Sequence, residues 1–153
     1  MLVRVPNHNE MDDIYLMGFD AWGENFSKSK YLNICRNSQK YKLGNWFCLD
    51  IEGKLVSSLI IYKNCLGLKE GYAGLGSIAT QPKYRNIGYA SALITNCISN
   101  LIQENAAGIF LFTEIGNEIY QRFGFHDVKG RENDGLMFLN INHASPPANP
   151  SYF

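Results

Sequence analysis

Between residues 70 and 113 the chain runs EGYAGLGSIAT, QPKYRN, IGYASALITNCISNLIQENA and AGIFLFT, and this order constrains the fold more than any other feature. Ala90, Leu93, Ile94, Cys97, Ile98, Leu101 and Ile102 recur at steps of three and four along one stripe, which predicts a helix of about four turns from Gly88 onward. AGIFLFT (107–113) is apolar without alternation, the pattern of a strand buried on both faces. EGYAGLGSIAT (70–80) reads as a strand loosened by three glycines and ended by Pro82, and interior glycines mark a bulge or the close approach of a backbone or ligand. A strand, a helix and a second strand in this order require a parallel pair with a crossover.

The flanking sequence supplies antiparallel elements. LVRV (2–5) is a short strand candidate. Asn9 is placed to cap a helix with Glu10, Asp12 and Asp13 in its first turn, where carboxylates suit the dipole. Met11, Ile14, Tyr15, Gly18, Ala21 and Trp22 share one face of that helix, and a more polar helix covers 27–38. NWFCLDIEGKLVSSLIIY is a hairpin turning at Glu52-Gly53. A short helix runs to about Arg122 and stops at Gly124, and FHDV and LMFLN are late strands. The prediction is a single-domain mixed α/β sheet of about seven strands with about four helices over residues 1–141. The proline-rich segment 142–153 is expected to be a disordered tail.

Composition removes several classes of function. Fourteen basic residues balance fourteen acidic ones, so the chain as a whole lacks the charge for nucleic acid or an anionic membrane. Cys35, Cys48, Cys65 and Cys97 are isolated, with no CxxC and no histidine at metal-ligand spacing, which predicts buried reduced thiols and no metal. No stretch approaches the ~20 apolar residues of a membrane span, and MLVRVPNHNE lacks the apolar core of a secretory leader. The expectation is a cytoplasmic protein, monomeric or homodimeric.

Arg85, Gly88 and Ala90 lie together where the long helix begins. First-turn N–H groups have no intrahelical partner and the dipole adds positive potential there. Gly88 lets an anion approach the backbone, Ala90 keeps the turn uncluttered, and Arg85 adds a cation. A Walker A loop would need Gly-Lys-Ser/Thr, which is absent, and a dinucleotide fingerprint would need two further glycines. RNIGYA fits a third pattern, R/Q-x-x-G-x-G/A, between a strand with a proline turn and a long apolar-striped helix.

This segment, LGSIATQPKYRNIGYASAL, resembles the signature of the GNAT family of acyl-CoA-dependent N-acetyltransferases. IYQRFGF (119–125) is similar to that family's later Y-x-x-x-G-F pattern, about thirty residues downstream, and the order of elements also agrees. The resemblance is specific over 75–125 and topological elsewhere. It implies that Arg85, Asn86, Ile87, Gly88, Tyr89 and Ala90 wrap the pyrophosphate of acetyl-CoA, chiefly through main-chain amides. Ile78, Ala79 and Thr80 would pair with the pantetheine arm where their strand splays from 107–113. Acetyl transfer would go directly to a primary amine of a small molecule or protein. Tyr120 would be the acid that protonates the departing thiolate.

The residues leave the base open. LGSIAT holds no carboxylate, and Glu70 lies eight residues before Ile78, about 26 Å along an extended strand. Glu114 suits the N-terminus of the short helix, His126 a solvated strand, and deprotonation through ordered water is the simplest alternative. Thr113 stands where many relatives have Asn. Asp12, Asp13, Asp20 and Glu24, interleaved with Tyr15, Phe19 and Trp22, are candidates to meet a cationic amine. A non-catalytic acyl-CoA sensor of the same fold is the rival reading.

Overall fold

The computed structural model describes residues 1–142 and 150–153. Seven strands form one mixed sheet in the order β1-β2-β3-β4-β5-β7-β6, with β4 and β5 as its parallel pair. The chain divides into two compact units, residues 1–60 with 77–96 and residues 61–76 with 97–153. β3 (Lys54–Lys63), β4 (Tyr72–Thr80) and α4 (Tyr89–Gln103) each run through both.

In the first unit β1 (Leu2–Arg4) pairs antiparallel with β2 (Asn45–Ile51), with Val3 opposite Leu49. β2 turns into β3 at Glu52 and Gly53, both left-handed at φ 51° and 81°, as a two-residue hairpin loop requires. Asp50 Oδ1 accepts the Gly53 N–H at 2.7 Å and locks that turn. The core joins Ile14 and Met17 of α1 (Met11–Leu16, with Met17 as its C-cap) to Cys48 and Leu55, with Met11, Trp46 and Ala79 against them.

The expected first helix is broken. A 3₁₀ turn at His8–Glu10 precedes α1, and α2 (Phe19–Trp22) starts again after Gly18. The break shows in the i−3 bonds Met17 N–H to Ile14 O and Gly18 N–H to Tyr15 O, while the Trp22 ring still lies over Gly18, where a Cβ would meet it at 2.0 Å. The entry cap is Asn7 rather than Asn9, because the Asn7 N–H donates to Glu10 Oε2 at 2.7 Å. With α3 (Lys28–Arg36), capped by Ser27 Oγ, and α5 (Glu118–Gln121), five α-helices stand among the described residues where about four were expected.

Arg4 holds this entry together. Its guanidinium donates to both Glu10 oxygens at 2.8 Å and to Asp50 Oδ2 at 2.9 Å. The Arg4 bond, aided by the Asn7 N–H, pulls the Glu10 carboxyl down to about 2 from its ordinary 4.5. A depressed carboxyl stabilises the fold above its unfolded value and loses that contribution as pH falls through the folded one. Wild-type melting temperature should therefore fall more steeply between pH 4.5 and 2 than that of Glu10→Gln, followed by circular dichroism. Parallel curves would show that the pair contributes nothing.

In the second unit Tyr72–Leu75 of β4 pairs in parallel with Gly108–Leu111 of β5 (Gly108–Phe112), and β5 pairs antiparallel with β7 (Leu136–Asn140). β6 is shorter than FHDV suggests, spanning only His126–Asp127. Gly108 is required because Phe138 fills the space of a side chain at 2.3 Å. Most of the expected disordered tail, residues 143–149, lies outside the described residues. Its last four residues depart from that expectation. Phe153 is 7% exposed, its ring lies tilted against Tyr62 at 5.4 Å and edge-on to Phe112 at 5.0 Å, and it occupies the space left by Gly74. The thiols of Cys35, Cys48 and Cys97 are buried and free, whereas Cys65 is only half-buried. No described helix is long and apolar enough to cross a membrane.

Candidate active site

The end of β4 departs from regular strand pairing. Parallel pairing with β5 runs from Tyr72 to Leu75 and stops there. Two residues later Ser77 takes φ 47°, a left-handed conformation that costs a non-glycine residue about 1 kcal/mol and redirects the strand. The Ser77 hydroxyl donates to Tyr41 Oη at 3.4 Å. Beyond it, Ile78–Thr80 stays attached to β3. Ser57 Oγ donates to Ala79 O at 2.8 Å and lies 3.0 Å from Thr80 Oγ1, and Gln81 N–H donates to Val56 O at 3.0 Å. Of the three glycines read as loosening β4, Gly74 makes room for Phe153, and the left-handed distortion falls on Ser77.

Residues 82–84 form a 3₁₀ turn, and the chain then passes through left-handed Asn86 (φ 63°) and Gly88 (φ 97°) into α4. Among the described residues the backbone N–H groups of Asn86, Ile87 and Gly88 donate to no protein acceptor. Those of Tyr89 to Ser91 are the first-turn donors of a fifteen-residue helix, whose first crossing bond is Ala92 N–H to Gly88 O at 3.0 Å. A Cβ built on Gly88 meets nothing within 4 Å, so the approach to these donors is open. No carboxylate occurs between Glu70 and Glu104. Open amides, a helix dipole and a flanking sequence without carboxylates fit a diphosphate.

Arg85 stands at the start of this loop, after the 3₁₀ turn. Its guanidinium donates to both Asp20 oxygens, at 2.6 and 2.8 Å, and its Nε to Thr80 O at 3.0 Å. This accounts for Asp20 as well, whose carboxyl Arg85 holds below the usual range. Asp12 is likewise taken by a two-pronged contact from Arg36, at 2.9 and 2.5 Å. Two of the four acids proposed to meet an amine thus serve ion pairs within the chain. The aromatic residues cluster with one another: Tyr15 stacks on Tyr41 at 5.9 Å, and Trp46 stands edge-on to both.

In the second unit Tyr120 sits in α5, 8% exposed, with its ring edge-on to Phe125 at 6.4 Å. Its hydroxyl has no partner among the described residues, and burial pushes its pKa above the ordinary 10. Left-handed Gly124 (φ 98°) ends the segment, with its N–H donating to Gln121 O at 2.9 Å. Thr113 Oγ1 is tied into its own turn, donating to Gly116 O and accepting from Ile115 N–H, both at 3.3 Å. Around it opens a cavity of about 650 Å³ lined by Thr113, Glu114, Asn117, Glu132, Asp134 and Tyr152. Sequence reading missed Glu132 and Asp134, whose loop KGRENDG carries no signal beyond polarity. His126 is exposed on β6. No cluster that could hold a metal occurs among the described residues.

A parallel pair that stops short, a redirected strand end and an open helix N-terminus are the parts of an acyl-CoA acetyltransferase. The chain belongs to the acetyltransferase (GNAT) family, whose sequence model matches residues 9–125. A GNAT family acetyltransferase from Brucella melitensis in complex with acetyl-CoA has the same fold, with a TM-score of 0.73 at 20% identity over 99% of this chain and 95% of that one. The ribosomal-protein-S18-alanine N-acetyltransferase from Escherichia coli gives 0.67 at 20% identity, over 97% and 98%. A GNAT family N-acetyltransferase from Escherichia coli in complex with CoA gives 0.67 at 17%, over 91% and 80%. A search of curated protein sequences finds no match.

Proposed function

We propose that the protein transfers the acetyl group of acetyl-CoA directly to a primary amine of a small molecule or a protein. The observation that carries this reading is the loop at 85–90, where unpartnered amides and an open Gly88 begin a fifteen-residue helix. Acetyl-CoA supplies the activated acyl group and a thiolate leaving group. The amides of Asn86 to Ala90 bind its diphosphate, and Ile78, Ala79 and Thr80 offer main-chain groups along its pantetheine arm. Tyr120 holds a proton that burial keeps on the phenol, ready for the departing sulfur. The carboxylates of Glu114, Glu132 and Asp134 around one cavity suit an acceptor that arrives as an ammonium. No carboxylate stands beside Ile78 in sequence, and water carries the amine's proton away.

Incubating the protein with acetyl-CoA and a panel of polyamines, amino acids and peptides, with a dye that detects free thiol, tests this reading. Amine-dependent thiol release supports it. Saturable acetyl-CoA binding with no release across the panel would replace it with a sensor.

A further inference from the structure

One side chain ties three segments of the first unit together. Arg85 donates to the Asp20 carboxylate in α2 through two nitrogens, to Thr80 O at the end of β4, and more weakly to Met17 O at 3.4 Å. Four of its five N–H donors are thereby used within the chain, although it lies in the loop whose amides are open. The pair is accessible, with side-chain exposures of 39% and 48%, so an arriving anion can compete for the guanidinium. An exposed ion pair contributes little net stability, which leaves the exchange near balance.

We infer that Asp20 is an internal competitor for Arg85: it holds the guanidinium against α2 and withholds it from the diphosphate, which in the resting protein is gripped by amides alone. The inference rests on the reading of residues 85–90 as the CoA loop, and it makes Asp20 a positioning residue that sets cofactor affinity. It also explains why a carboxylate flanking a phosphate site is tolerated, since its charge is neutralised by the same guanidinium.

Calorimetric titration of CoA into wild type, Asp20→Asn, Asp20→Glu and the double variant Asp20→Asn with Arg85→Gln, at two salt concentrations, decides the matter. Asp20→Asn should bind CoA about fivefold tighter than wild type, because the freed guanidinium adds one charge-assisted contact. That gain should shrink with added salt. Asp20→Glu should restore wild-type affinity, and Arg85→Gln should erase the gain. A merely structural ion pair predicts the opposite sign, since loosening α2 would weaken binding. Equal or weaker binding by Asp20→Asn, or a gain that survives Arg85→Gln, overturns the inference while leaving the loop assignment intact. A wild-type protein that gives no heat with CoA overturns the loop assignment and the inference with it.

Discussion

Gly88→Asp should lose CoA binding by at least about 100-fold, equivalent to about 2.7 kcal/mol. The fold has room for the change, because a Cβ at this position meets nothing within 4 Å. Two effects act on the ligand. The backbone sits at φ 97°, which a side chain adopts only with about 1–3 kcal/mol of strain. The carboxylate also stands beside the open amides at the start of α4, and like charges about 4 Å apart near a protein surface repel by about 4 kcal/mol each. Gly88→Ala separates the two contributions, since it carries the strain without the charge and should weaken CoA by less than tenfold. Calorimetry, with a melting curve for each variant, reads both effects. Wild-type affinity in Gly88→Asp would mean that the diphosphate is held elsewhere.

Tyr120→Phe should lower kcat about 100-fold, the scale of one lost general acid, while the affinity for acetyl-CoA stays within about twofold. The split follows from the local structure. The ring packs edge-on to Phe125, and phenylalanine keeps that contact. Only the hydroxyl is removed, and it has no partner among the described residues, so no buried group is orphaned. Burial raises this phenol above 10, which keeps it protonated throughout the neutral range. The wild-type kcat profile should accordingly show no loss of acid function between pH 6 and 9. Unchanged kcat in Tyr120→Phe would remove the acid assignment.

The parts of this architecture with periodic sequence were the most legible. The apolar stripe from Ala90 to Ile102 predicts α4, which spans Tyr89–Gln103, and the unbroken apolar run at 107–113 predicts β5 at Gly108–Phe112. Gly53 and Gly124 mark turns because both need left-handed backbone. Where the sequence misleads, a tertiary contact has overridden a local pattern. The face from Met11 to Trp22 keeps helical spacing across a break at Met17 and Gly18, where the backbone bonds tighten to i−3. The distortion of β4 falls on Ser77, whose identity carries no signal for a left-handed strand residue.

The candidate site divides along the same line. Gly88 and its helix could be read from spacing, because a backbone anion site depends on missing side chains and a helix start. The partners of Arg85 and Asp20 could not, since sixty-five positions separate them and each alone suits several roles. Glu114, Glu132 and Asp134 come together only through the packing of two loops in the second unit. The closing residues Tyr152 and Phe153 follow a proline-rich stretch whose composition argues for solvent. Yet Phe153 fills a gap that Gly74 leaves on β4.

The central claim is that the amides leading into α4 grip the diphosphate of CoA. The most direct test is a titration of the isotopically labelled protein with CoA, following backbone amide resonances. The account predicts saturable shifts that are largest for Ile87, Gly88, Tyr89 and Ala90, and that inorganic pyrophosphate competes for the same resonances. Shifts that spare these four amides at saturating CoA would contradict it.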